Sequence, residues 1–171
     1  WSRALIERYR HMEAVPQARR VIVAVDPPAS SSGDACGIVV AMLGVDGTAY
    51  VRADCSVTNA TPERWARAVA DAAHAWQADR VVAEANQGGQ MVASVLRAAD
   101  IALAVKLVHA SRGKTARAEP IAALYEAGRV RHTGLFAALE DEMCGLVAGG
   151  GYEGPGRSPD RADALVWALT E

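Results

Sequence analysis

The stretch "VIVAV", Val21 to Val25, constrains this chain more than any other. Five consecutive apolar and mostly β-branched residues fit a strand covered on both faces, so helices must lie above and below the sheet that contains it. The strand ends on a charge. Asp26 follows Val25, then come Pro27, Pro28, a run of small residues and a second acid, Asp34. A carboxylate at the end of a buried strand costs several kcal/mol to desolvate unless something pairs with it. Asp26 is therefore either a turn residue that escapes to solvent or one side of a cation site.

The neighbouring segments define the sheet. "CGIVVAML" (36–43) and "TAYVRADCSV" (48–57) flank "GVDG", and Asp46-Gly47 is a two-residue hairpin signal, so three antiparallel strands open the domain. Thr61 and Pro62 form an N-cap and first-position pair for a helix with Trp65, Val69, Ala72 and Trp76 on one face. "RVVAEA" (80–85) is a second buried strand. The Gly88-Gly89 turn then leads to a helix with Met91, Val92, Val95 and Leu96 inward, and "IALAVKLVHA" (101–110) reads as a further strand. Strands alternating with helices after a hairpin imply a mixed five-stranded α/β sheet with right-handed crossovers and helices on both faces.

Three more helices are expected. A basic loop, "SRGKT", runs into a helix that Gly128 stops, and a following helix carries Leu135, Leu139, Met143 and Leu146. After the Gly- and Pro-dense loop 149–159, Ser158 as N-cap and Pro159 at the first position start the last helix, "DRADALVWAL". Residues 3–13 have helical character, with Leu5, Ile6 and Tyr9 on one side and Pro16 ending the segment. Residues 1–19 thus read as a linker-like helix and 20–171 as the domain. The chain opens on Trp1 rather than Met, so a fragment or a processed product is expected.

With 171 residues, 51% apolar and 22% charged, the chain has material for one domain with a sizeable core. Cys36, Cys55 and Cys144 lack C-x-x-C spacing, which points to reduced core thiols rather than disulfides or zinc. No apolar stretch reaches the roughly 18 residues that span a bilayer, and "WSRALIERYRHMEAV" is too charged for a signal peptide. A cytoplasmic protein without membrane association is expected.

Further acids stand where a solvated surface would not place them. Glu84 ends the second buried strand, and if that strand lies parallel to the first, Glu84 and Asp26 meet at the carboxyl edge of the sheet. Asp160 and Asp163 share a face in the first turn of the last helix, among Ala162, Ala164, Leu165 and Trp167. Carboxylates that close repel, and hard divalent ions relieve them. Oxygen-only ligation suits Mg²⁺ or Mn²⁺, and two such ions about 4 Å apart can support in-line phosphodiester hydrolysis.

"VAVDPPASSSGDACGIVV", "VVAEANQGG", "ARAEPIAALYEAGRV" and "SPDRADALVWAL" together resemble the nuclease domain of phage-type terminase large subunits, a ribonuclease H-like and resolvase-like group. The resemblance covers residues 20–170. It implies a two-metal endonuclease that cuts concatemeric double-stranded DNA during packaging into a capsid, with little sequence preference and 5′-phosphate and 3′-hydroxyl ends. Asp26, Glu84 and Asp163 match the catalytic and metal-binding acids, Asp34 an auxiliary acid, and Asp160 the extra acid of a D-x-x-D pattern. The implied partners are an upstream ATPase domain, a small terminase subunit and a portal protein. An Ala- and Arg-rich composition fits a GC-rich bacterial host, as for a prophage or a gene transfer agent.

Plainer readings stand beside these. The loop composition alone leaves Asp34 solvent-facing, and Asp160 could only complement the helix dipole. His74 reads as solvated, His109 as a strand-end residue near the basic loop, and Trp65, Trp76 and Trp167 as core. "SRGKT" is not a P-loop, because Val108 stands where the first glycine belongs. The net charge of −2 speaks against a polyanionic partner until the five candidate ligand acids are set aside, which leaves 15 acidic against 18 basic residues. Arg112, Lys114 and Arg117 in one loop, with Arg129 and Arg131 beyond the next helix, are candidate DNA-backbone contacts. A Holliday-junction resolvase shares the fold and the acids, and an inactive docking module is the non-enzymatic alternative.

Overall fold

The computed structural model describes residues 1–28, 35–86 and 88–171. At its centre runs β1 (Ala18–Asp26), and Val23, Ala24 and Val25 expose no surface on either face, as the unbroken apolar run requires. β2 (Ala35–Gly44) and β3 (Ala49–Asp54) follow in antiparallel order. The Asp46 carboxylate closes the hairpin between them, accepting the Thr48 N–H at 3.1 Å and the Tyr50 hydroxyl at 2.9 Å. A two-residue strand, β4 (Val57–Thr58), pairs with the start of β2.

Helix α2 (Pro62–Ala75) starts where expected, with Thr61 Oγ1 accepting the Arg64 N–H. The chain crosses back to β5 (Arg80–Glu84), which lies parallel to β1 with Val25 opposite Ala83. α3 (Gln90–Ala99) then leads to β6 (Val105–Val108), parallel to β5. The helix buries Val92, Ala93 and Leu96, but Met91 is exposed and folds back over the Gly88 turn. β6 is shorter than the apolar run 101–110 because the Asp100 carboxylate accepts the Ala102 N–H at 2.8 Å and makes a turn there. That turn leaves Ile101 in solvent.

α4 (Lys114–Glu126) contains Pro120 and ends at Gly128, whose φ of +66° is the left-handed stop. β7 (Val130–His132) then joins the far edge, parallel to β3. The sheet order is β6-β5-β1-β2-β3-β7, seven strands with β4 rather than the five expected. The two additions are two and three residues long, too short to carry a readable period.

α5 (Ala137–Gly145) and α6 (Asp160–Thr170) complete the fold, and α6 is capped at Pro159 rather than Ser158. Residue parity on β1 divides the core. Val21, Val23 and Val25 face Trp65 and Val69 of α2 and Leu96 of α3, whereas Ile22 and Ala24 face Trp167 of α6. α4, α5 and α6 share a further core with Val39, Val51 and Val130.

The N-terminal segment also packs on this face. α1 (Arg3–Arg8), shorter than the expected 3–13, buries Ile6 beside Ile121, Tyr125 and Leu139. Beyond it, Arg10 bridges to His132, whose carbonyl accepts the His11 N–H at 2.7 Å. The segment therefore extends the β7 edge of the sheet.

Candidate active site

Parallel pairing of β1 and β5 brings two carboxylates to one edge. Asp26 and Glu84 are the last residues of their strands, each one position beyond the Val25–Ala83 pair. The N-terminus of α6 is laid over the same edge by a backbone contact that only glycine permits: a Cβ at Gly37, the partner of Asp26 on β2, would stand 2.0 Å from the Asp160 carbonyl oxygen. Asp160 and Asp163 therefore arrive beside Asp26 in the first turn of α6. All but Glu84 are buried, and the Glu84 side chain retains 12% exposure.

Two cations from α4 face these acids. Lys114, the first residue of α4, ion-pairs with Asp163 and places Nζ 3.8 Å from Asp26 and 3.9 Å from Asp160. It also donates to the Ser158 hydroxyl at 2.9 Å. Arg117, one helical turn on, reaches Glu84 Oε2 at 3.3 Å with Nη1 and Asp163 Oδ1 at 3.4 Å with Nη2. Its guanidinium lies over the Trp167 ring at 4.8 Å, and the indole N–H donates to Glu84 Oε2 at 2.6 Å.

Four carboxyl groups against two cations leave an excess of negative charge. Burial pushes Asp26 well above the ordinary aspartate range, and Asp163 adds to the rise, followed by Glu84 and Asp160 after the opposing effect of Lys114. Asp163 is also raised, by burial that Lys114 and Arg117 only partly offset. Lys114 is raised: burial lowers it, and the attraction of Asp163 and Asp26 more than makes up the difference. As the side chains stand, no three acids among the described residues are gathered tightly enough to hold a metal ion, and the Lys114 ammonium lies between them.

An open cavity of about 380 Å³ lies over the cluster, lined by Asp26, Pro27, Glu84, Arg112, Lys114 and Arg117 among others. A larger one of about 600 Å³ adjoins it across Gly113, Lys114 and Ser158, walled by the Gly149–Tyr152 loop and Arg157. Arg112 is exposed and lines the smaller cavity. The Arg117 side chain, by contrast, is 11% exposed and turned onto the acids.

Arg129 and Arg131 are not brought to the site. β7 runs parallel to β3 and starts opposite Ala49, at the amino end of the sheet and away from the Asp26 edge. Asp34 lies outside the described residues. His109 is exposed at the end of β6, and His74 is exposed and bonds Asp100 at 2.7 Å. Trp167 belongs to the core as expected and also donates its indole N–H to Glu84. The three cysteines are free.

An antiparallel opening, two parallel crossover strands and acids on the carboxyl ends of β1 and β5 and the first turn of a covering helix define a ribonuclease H-like domain. The chain belongs to the Terminase RNaseH-like domain family, whose profile matches residues 23–171. Its fold is similar to the nuclease domain of the large terminase subunit of bacterial virus Sf6, at 15% identity and a TM-score of 0.71 over 98% of this chain and 96% of that one. It is also similar to the large terminase nuclease of thermophilic phage G20c, at 17% identity and a TM-score of 0.67 over 98% and 96%. Against the HK97 bacteriophage large terminase the identity is 16% and the TM-score 0.65, with 99% of this chain matching only 42% of that one. No curated protein matches the sequence.

Proposed function

We propose that this chain is the nuclease domain of a large terminase subunit, an endonuclease that cuts double-stranded DNA with little sequence preference as a genome is packaged. The observation that carries this reading is the convergence of Asp26, Glu84, Asp160 and Asp163 on one sheet edge, with Asp26 pushed upward by burial and by Asp163, and Asp163 pushed upward by burial. Such a cluster is unfavourable without cations beyond the two side chains present. A mutant Sf6 nuclease domain has been crystallised with manganese and the G20c nuclease with bound magnesium, which supports divalent ions here.

The donor set fits by its chemistry: it is all oxygen and carries excess negative charge, which suits Mg²⁺ or Mn²⁺. Asp26, Glu84 and Asp163 would hold the ions, with Asp160 and Asp34 as further candidates. When bound, the ions supply an activated water and stabilise the leaving 3′ oxygen. Arg117 holds Glu84 and Asp163 at fixed separation. Lys114 partly offsets the charge of Asp26, Asp160 and Asp163 before ions bind, and Arg112 offers a phosphate contact at the cavity mouth. In this reading the domain works in the bacterial cytoplasm, joined to an ATPase domain upstream of residues 1–19 and served by a small subunit and a portal.

Supercoiled plasmid incubated with the chain and Mn²⁺ or Mg²⁺ should become nicked and then linear, and EDTA or Asp26→Asn should stop it. Cutting that survives Asp26→Asn, or no cutting with any divalent ion, overturns the proposal.

A further inference from the structure

Trp167 sits on α6 among apolar neighbours Ile22, Ala24, Ala41 and Val82, with 8% of its surface exposed. Packing alone would be satisfied by phenylalanine there. A buried indole N–H needs an acceptor, and the one it finds is Glu84 Oε2 at 2.6 Å, not a backbone carbonyl. Arg117 Nη1 reaches the same oxygen at 3.3 Å. Among the described residues, both donors go to Oε2 and none to Oε1.

We infer that Trp167 is a positioning residue for Glu84: its N–H pins one carboxylate oxygen so that the other is presented to the divalent cation of the acid cluster. The inference rests on the metal-dependent reading above and adds a residue to it. Three features support the assignment. Indole has no acceptor at Nε1, so the bond can run only toward the carboxyl group. A hydrogen bond to a carboxylate is stronger than a neutral one and fixes the terminal torsion, which is otherwise soft. The ring also supports Arg117, which spans Glu84 and Asp163, so one side chain four residues after Asp163 orients acids from both β5 and α6. Donors behind a ligand that set its orientation commonly change metal affinity about ten- to a hundredfold when removed.

Trp167→Phe keeps the ring and deletes the donor. Titrated with Mn²⁺ alone in a calorimeter, it should bind about ten- to a hundredfold more weakly than the wild-type chain. Val166→Ala, which thins the packing of the same helix without touching the cluster, should bind Mn²⁺ as wild type. Independently of any metal, one of the four indole N–H resonances should shift in Glu84→Gln, a measurement that stands if Trp167→Phe fails to fold. Unchanged Mn²⁺ affinity in a folded Trp167→Phe, or four indole resonances that all ignore Glu84→Gln, overturns the inference. Weakened Mn²⁺ binding by Trp167→Phe together with an uncut plasmid in wild type would uphold the positioning role and sink the nuclease reading alone.

Discussion

Glu142 on α5 caps α6 from outside, accepting the Arg161 N–H at 2.7 Å and the Ala162 N–H at 3.3 Å. The helix begins at Pro159, which has no side-chain acceptor of its own, so the free N–H groups of its first turn depend on this borrowed carboxylate. Glu142 also takes Arg161 Nη1 at 2.6 Å, while Arg161 Nε lies 3.3 Å from Asp54.

Removing that acceptor should loosen the turn that carries Asp160 and Asp163. Glu142→Ala is expected to cost about 1–2 kcal/mol in urea unfolding, in the range of a lost cap. Glu142→Gln keeps an acceptor oxygen and should lose less. Equal losses would show that charge pairing with Arg161, not capping, is what Glu142 contributes.

A second buried carboxylate gives a pH signature. Glu140 accepts both Nη groups of Arg10 at 2.9 Å, His132 Nδ1 lies 3.0 Å away, and His132 Nε2 meets the Tyr125 hydroxyl at 2.8 Å. Burial alone would raise Glu140, but the His132 and Arg10 hydrogen bonds and the Phe136 N–H outweigh it and hold the group well below the usual glutamate value. A depressed acid contributes stability that is full above its unfolded pKa and lost as pH falls through the folded one. The unfolding midpoint should therefore fall steeply below about pH 4.5, and Glu140→Gln should flatten that slope while lowering stability at neutral pH. A slope that Glu140→Gln leaves unchanged would place the acid sensitivity elsewhere.

The acid cluster has the opposite sign. Asp26 is raised in the folded protein, so ionising it favours the unfolded chain, and metal-free stability declines as pH rises from the ordinary aspartate range through the raised value. Lys114 counters this. Lys114→Ala should lose about 1 kcal/mol at pH 7, a modest figure because its side chain is 40% exposed and screened. Mn²⁺ should return the variant to wild-type stability. A Lys114→Ala protein as stable as wild type without metal would show that the acids do not need this cation.

Much of this was legible in the sequence, and the reasons are local. "VIVAV" ending on Asp26 and "RVVAE" ending on Glu84 announce two buried strands with charged ends, and the Asp160–Asp163 spacing places both acids in one helical turn. What stayed hidden depends on tertiary direction. Arg117 reads as a basic-loop residue and turns inward because Glu84, Asp163 and the Trp167 ring are there to receive it. Glu140 and Glu142 do not stand out in the sequence, and they are buried because Arg10 and Arg161 arrive from distant segments. Arg129 and Arg131 follow the helix in sequence, but the parallel return of β7 carries them to the far end of the sheet.

The central claim is that Asp26, Glu84 and Asp163 converge to hold divalent cations, and a crystal of the chain soaked in Mn²⁺ tests it most directly. Anomalous difference peaks should stand against these three carboxylates, with Lys114 Nζ withdrawn from between Asp26, Asp160 and Asp163. Lys114 still seated there at saturating Mn²⁺, with no anomalous peak on any of the acids, would contradict it.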